Sequence, residues 1–405
     1  MLRIPGVDYA SHPAFKGLPR SEVWNCCEIE RVAEEINGMY DEIIARRLSA
    51  AESISCYEKH VLPMLSELAR VSSHSVSGDP RTADWFCRSL QPIPQRMLEE
   101  LLVSTTRSKR PLMRGKLLAE KFGDLEHAGY TQLTLPSGTA KRWFEACAPF
   151  RNILSDRARL NVGARQWLAL PVMGRITQNI EQQLTSIGAL ELAASYRGRA
   201  MELDHIALHY SHPKQTWYQG CYTDVGLPTS RMAYLHNDYE PSMLKMLIYL
   251  SPVAQYDGPF SYVSGSHRWA RPMLQHLAFK ELDRQHPRSF PECTSAHYRA
   301  RFALKAERTR LLSLPKSFQG TSHFGDDVLD EVPAFTQLSA AEIPIMGNDT
   351  AILFDGGRGL HRGALNQSGE RWALQLGFRI KPHRTLIRSA ARYGYRVFSK
   401  WSDKS

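Results

Sequence analysis

Apolar residues recur at three- and four-residue spacing through the first quarter of the chain. "EIERVAEEINGMYDEIIARRL" and "SCYEKHVLPMLSELARV" both carry this spacing, which lines one face of an α-helix. "DWFCRSLQPIPQRMLEELLV" continues it after a proline break. Helices are therefore predicted from about 28 to 105. The period changes near 129, where "GYTQLTL" alternates as a short strand does. "PSGTAKRWFEACAPFRNIL" follows with a polar start and a helical period, and "ITQNIEQQLTSIGALELAASY" reads as another helix.

From "AMELDHIALHYS" (200–211) onward, short apolar stretches lie between glycine and proline turns: "MLKMLIYLSPV", "GPFSYVSGSH", "TAILFDGG" and "RWALQLGFRI". Such a series predicts a sandwich, jelly roll or barrel rather than a parallel α/β sheet. A segment from about 270 to 345 interrupts it, and an insertion of that length is expected to carry its own structure or cover a site. The chain thus divides into a helical extension (1–119), a mainly β catalytic body (120–385) and a tail (386–405). The extension is expected to pack on the body.

Composition narrows the function classes. Hydrophobic residues make up 43% and charged residues 23% of the 405, as in a folded globular protein. The net charge of +10 suits nucleic acid, an anionic membrane surface or a small acidic substrate. The densest basic run, "TTRSKRPLMRGK" (105–116), lacks the interleaved aromatics of a single-strand binding platform, so nucleic acid is the minor reading. Seven cysteines, at 26, 27, 56, 87, 147, 221 and 293, form no C-x-x-C pair and read as free thiols of a reducing cytoplasm. The adjacent Cys26 and Cys27 read as inert packing. No stretch approaches the roughly 18 to 20 apolar residues of a membrane span, and no signal-peptide core is visible. A soluble, cytoplasmic protein is expected, of undetermined oligomeric state.

The candidate chemistry centres on "HND". Residues i and i+2 of a strand share a face, so His236 and Asp238 can present an imidazole and a carboxylate to one point. Taken alone, the pair is equally a polar loop entering a strand. A third ligand is sought in "ILFDGGRGLHRGALNQSGERWALQLGFR", where His361 follows a glycine-rich turn. The apolar strands before and after it are expected to flank the His236 strand in one sheet. Two histidines and one carboxylate on a single face bind Fe(II) for oxygen chemistry. Arg371 follows ten residues later, and its planar, permanently charged fork suits a carboxylate, with a structural salt bridge as the alternative. His205, His209 and His212 of "HIALHYSH" read as core or pocket-lining residues, and His267 as a structural turn residue. His323, Asp326 and Asp327 read as a solvated loop within reach of a substrate.

With these pieces in this order, the C-terminal two thirds of the chain resemble the phytanoyl-CoA dioxygenase-like family of Fe(II)/2-oxoglutarate oxygenases. The matching segments are "HND", "LKMLIYLSPV", "DGPFSYVSGSHR", "FDGGRGLHRG" and the downstream arginine, with "GYTQLTLPSGTAKRWFEAC" as the opening strand and helix, over about 120–385. The resemblance implies a double-stranded β-helix, a cupin-like jelly roll braced by α-helices on one side. It also implies His236, Asp238 and His361 as iron ligands, with Arg371 holding the distal carboxylate of 2-oxoglutarate. The family's arginine commonly stands eleven residues after the histidine rather than ten, which leaves Arg379 and Lys245 as fallback holders. The implied reaction consumes dioxygen and 2-oxoglutarate, releases succinate and CO2, and hydroxylates a small or medium-sized organic substrate, for which the positive charge favours an anion. A carboxylate at 238, where related halogenases have a small residue, argues for hydroxylation or another oxidation over halogenation. Two rivals remain: a cupin-type metal enzyme that does not use 2-oxoglutarate, and a non-catalytic jelly-roll binding module.

Overall fold

The structure, a computed structural model, describes residues 12–381 except 20–25, 47, 75–79, 107–114, 162–164, 169, scattered positions between 217 and 242, 269–272, 285–304, 320–326, 331 and 333. The tail from 386, His323, Asp326 and most of the basic run at 105–116 lie outside the described residues.

The predicted helical region forms α1 (Cys26–Ala45), α2 (Ala50–Cys56), α3 (Leu62–His74), α4 (Pro80–Leu90) and α5 (Ile93–Thr106). A reciprocal capping box between Ser49 and Glu52 starts α2, and a π-turn over Tyr57–Val61 carries it into α3. Pro92 and Pro94 bracket the start of α5, consistent with the expected break. The apolar stripes of these helices share one buried core with α11 (Met273–Arg284) and the helix Lys305–Leu312. That core also takes Leu235, Val263 and Val328 from the back of a β-sheet. Each large apolar side chain buried there contributes about 1.5–3 kcal/mol, so the extension and the body share their stabilisation.

Next come α6 (Lys116–Ala128), β1 (Tyr130–Thr134), α7 (Thr139–Ala146), α8 (Ala148–Arg159), β2 (Arg165–Trp167), α9 (Leu170–Ser186) and α10 (Ala189–Arg197). The stretch expected to be a single helix at 176–196 is two, α9 and α10. Gly188 adopts φ 73°, a left-handed conformation that ends one helix and opens the next.

The strands are β3 (Met201–Ser211), β4 (Leu235–His236), β5 (Leu244–Tyr249), β6 (Phe260–Val263), β7 (Asp327–Val328), β8 (Glu342–Ile345), β9 (Thr350–Phe354), β10 (His361–Gly363) and β11 (Arg371–Ile380). They build two antiparallel sheets, ordered β1-β9-β5-β11-β3-β2 and β7-β4-β10-β6-β8. Alternation along the six-stranded sheet sends Ile206, Leu208, Met246, Ile248, Leu374 and Leu376 into a core with α6 to α10. The opposite face contributes Tyr249, Ile352, Phe354 and Ala373 to a third core shared with Phe260, Tyr262 and Ile345 of the second sheet. The layers therefore run helix, sheet, sheet, helix. Bracing was expected on one side and is present on both, because the five-stranded sheet also has an apolar back that must be covered.

One irregularity interrupts the β3–β11 ladder. Gly377 pairs with His205 and Phe378 with Leu203, leaving Asp204 opposite no residue, a β-bulge. No helix among the described residues is long and apolar enough to cross a membrane. Cys27 is exposed, so it does not pack as expected, because the stripe of α1 that enters the helical core is Ile29, Val32, Ala33 and Ile36.

Candidate metal centre

Strand β10 lies between β4 and β6, with His361 opposite both His236 and Tyr262. Residues paired in register project from the same face, and the two imidazoles stand with ring centroids 4.5 Å apart. The strands before and after His361 do not flank β4 as expected. Both β9 and β11 belong to the six-stranded sheet, because the glycine-rich turn at 355–360 carries the chain from one sheet to the other. Asp238 also owes its place to that turn, since β4 ends at His236. The Asp238 amide donates to the Gly356 carbonyl at 2.7 Å, and a Cβ at Gly356 would overlap the Asp238 carboxylate. Only glycine permits this approach.

One ligand atom from each of His236, Asp238 and His361 falls within 4.8 Å of the others. Each histidine is oriented through its far nitrogen. His236 Nδ1 lies 3.0 Å from the Tyr234 carbonyl and His361 Nδ1 3.2 Å from the Gly359 carbonyl. A carbonyl can only accept, so each Nδ1 carries the proton and each Nε2 offers its lone pair, as metal-bound histidines do. Lys245 pairs with Asp238 Oδ1, while Oδ2 stands 3.5 Å from His361 Nε2. Burial alone would raise the Asp238 pKa, but Lys245, His361 and His236 outweigh it and hold the carboxyl well below the usual carboxylate range. The group is thus an anion, as a ligand must be. The donor set fits a divalent first-row metal with open positions. Phe260, Phe354 and Tyr262 surround the His361 ring at 5.7, 5.0 and 6.5 Å.

Beside these three residues lie buried charges that sequence reasoning did not single out. Asp355 accepts from Tyr196 Oη at 2.8 Å and from Arg197 Nη2 at 2.9 Å; both members of the Arg197–Asp355 ion pair are wholly buried. Arg358, in the same turn, donates to Glu100 of α5, and both are buried.

Arg371 sits at the start of β11, opposite Ser211. It donates to Ser211 Oγ at 2.9 Å and to the Gly258 carbonyl, and it makes no ion pair among the described residues. Burial lowers its pKa, with Tyr249 and Tyr218 opposing the shift, yet a guanidinium stays charged in such surroundings. The two fallback residues are engaged elsewhere: Arg379 pairs with Glu202 at 2.7 Å and Asp204 at 3.1 Å, and Lys245 pairs with Asp238.

Among the other histidines, His209 pairs in register with Ala373 and Arg165. Its Nε2 is buried without a partner among the described residues. Burial first, then Arg165, Arg371 and Lys245, push its pKa well below the ordinary value. His205 lies 2.9 Å from Asp204 and meets Trp167 edge-on. His212 Nδ1 accepts from the Lys214 amide, and His267 bonds the Glu126 carbonyl at 2.9 Å. Asp327, expected in a solvated loop, is instead fully buried on β7, where it accepts from Tyr222 Oη at 2.7 Å because the strand places it beside His236 in the ladder.

No protein-family model and no curated protein matches the chain. Solved structures that align with it include the non-heme alpha ketoglutarate dependent carbocyclase SnoK from nogalamycin biosynthesis, at 14% identity and TM-score 0.36 over 64% of this chain and 82% of that one. EctD from S. alaskensis with 2-oxoglutarate and 5-hydroxyectoine aligns at 14% identity and TM-score 0.38, over 65% and 76%. HygX from Streptomyces hygroscopicus with nickel and 2-oxoglutarate bound aligns at 14% identity and TM-score 0.35, over 67% and 88%. Likeness at these TM-scores carries no weight for fold or chemistry, and the geometry has to stand by itself.

Proposed function

We propose that this chain is an Fe(II)/2-oxoglutarate-dependent oxygenase of the phytanoyl-CoA dioxygenase-like family, its two sheets being the halves of a double-stranded β-helix, and that it hydroxylates a small or medium-sized organic substrate. The observation that carries this reading is the convergence of His236, Asp238 and His361 within 4.8 Å, with each imidazole oriented by a main-chain carbonyl. Ferrous iron with 2-oxoglutarate and dioxygen supplies the oxidising chemistry when bound, with succinate and CO2 as co-products.

The chain's own residues bind, orient and exclude water. His236 and His361 present Nε2, and Asp238 presents the oxygen that Lys245 does not hold. Lys245 fixes the rotation of that carboxylate. Phe260, Tyr262 and Phe354 wall one side of the site from water. Arg371, a half-buried cation whose acceptors are both neutral, receives the distal carboxylate of 2-oxoglutarate through its paired donors. The orphaned Nε2 of His209 supports a ligand lying on the same side. The net charge of +10 favours an anionic substrate.

The test is succinate release from 2-oxoglutarate with Fe(II) and ascorbate, screened against a metabolite library. Substrate-stimulated succinate is expected, and Asp238→Ala or His236→Ala should abolish it while circular dichroism stays native. Turnover that survives either substitution would overturn the assignment.

A further inference from the structure

The turn from Asp355 to Leu360 touches both sides of the metal centre. Its Gly356 carbonyl holds the Asp238 amide, and its Gly359 carbonyl holds the His361 ring. Arg358 stands between them, two residues after one contact and one before the other. Most of the turn's anchors come from the catalytic body. The Asp355 amide donates to the Gly129 carbonyl at 2.9 Å, its carboxylate meets Tyr196 and Arg197, and the Leu360 amide donates to Ser266 Oγ at 2.8 Å. Glu100 is different, because it reaches the turn from α5, 258 residues away along the chain.

We propose that the N-terminal helical unit is a positioning element of the metal centre, acting through the buried Glu100–Arg358 ion pair on the turn that places Asp238 and His361. The inference rests on the metal-binding reading above. Glu100 is 5% and Arg358 9% exposed, so removing Glu100 takes away the carboxylate with which Arg358 pairs and leaves the buried guanidinium drawn toward Asp355, the other carboxylate that acts on it and one already engaged with Tyr196 and Arg197. The two carbonyls that orient the ligands lie one peptide unit beyond those of Arg358 on either side, so a displacement of its backbone shifts both. The helix bearing Glu100 is itself fixed: Tyr57 Oη donates to the Pro94 carbonyl at 2.6 Å and Tyr40 Oη to the Met97 carbonyl at 3.3 Å. An apolar pair of similar volume would close this junction at least as stably. A charged pair adds direction, since the Nη2–H of Arg358 has to point at the Glu100 carboxylate.

Cobalt(II) serves as the probe, titrated into the full-length chain, with affinity and ligand-field absorption as readouts and thermal midpoint measured beside them. Glu100→Ala should weaken cobalt binding about tenfold or more, the range found when groups supporting metal ligands are removed, and should alter the absorption bands. Glu100→Asp keeps the charge on a side chain one methylene shorter; it should fold and show a smaller change of the same kind. Ile93→Ala, which opens a void in the same helix at a wholly buried position, should lower the thermal midpoint while leaving cobalt affinity and spectrum unchanged. If Glu100→Asp and Glu100→Ala lower only the midpoint, as Ile93→Ala does, the pair is merely structural and the proposal is overturned. If Glu100→Ala fails to fold, an Asp variant with wild-type affinity and spectrum overturns it alone. A wild-type chain showing no cobalt signal sensitive to His236→Ala would sink the metal-binding reading itself, and this proposal with it.

Discussion

Arg371 and Arg379 occupy the two ends of β11, at positions whose side chains alternate onto the same face, and their surroundings differ in kind. Arg379 is enclosed by the carboxylates of Glu202 and Asp204. Arg371 has a serine hydroxyl and a main-chain carbonyl. A half-buried cation with its anions already in place is complete as folded, whereas one with neutral acceptors alone has its desolvation cost less fully met. The same contrast holds between two aspartates. Both carboxylate oxygens of Asp355 are occupied by Tyr196 and Arg197, while Asp238 meets Lys245 through one oxygen and turns the other toward the histidines. In both contrasts the residue proposed to meet a ligand is the one whose charge is not closed off by an opposite charge on every side.

Substitution at the two arginines tests this most directly. Arg371→Ala should weaken 2-oxoglutarate binding by about 10- to 100-fold, the equivalent of a charge-assisted hydrogen bond of about 1.5–3 kcal/mol, read from the KM for succinate formation. Arg371→Lys, a point charge without the fork, should recover only part of the loss. A normal KM in Arg371→Ala would take the 2-oxoglutarate contact away from Arg371, and activity that persists without added 2-oxoglutarate would favour a metal enzyme that does not use it.

The next effect in size belongs to His209, whose folded pKa is lowered. Below the unfolded value near 6.5, the unfolded chain takes up a proton that the folded chain refuses. Stability should therefore fall as pH drops below about 6.5, by up to about 1.4 kcal/mol per pH unit from this group. His209→Leu should flatten that part of the thermal-midpoint profile, and an unaltered slope would contradict the burial of this ring. Smallest of all, Arg379→Ala should cost about 1 kcal/mol of stability, as partly exposed ion pairs do, with the KM for 2-oxoglutarate unchanged. Equal KM effects at both ends of β11 would erase the distinction drawn above.

How much of this could be read from the chain depends on how far each interaction reaches. The strand character of 201–211 and 371–380 follows from local alternation, and the helices before 106 from local periodicity. His236 and Asp238 are legible as a pair because they are two residues apart, although Gly356 rather than strand geometry sets the position of the carboxylate. The sheet to which β9 and β11 belong is not legible locally, since the path of the glycine-rich turn decides it and a turn's path has no period. The split between α9 and α10 is hidden in the sequence because a single glycine is tolerated inside many helices. Glu100 left no trace near Arg358, because an ion pair across 258 residues has no sequence spacing to betray it.

The bulge at Asp204 bears on insertions and deletions. Apolar positions fall on odd numbers before it, at Met201 and Leu203, and on even numbers after it, at Ile206, Leu208 and Tyr210. Asp204 is thus a spare residue: excising it would regularise the ladder and leave every neighbour facing as it does now, at the expense of its contacts with Arg379 and His205. Shortening β3 anywhere between 206 and 210 would instead turn part of the strand over, exchanging greasy and polar sides. Length variation among relatives of this strand should therefore collect at a single point.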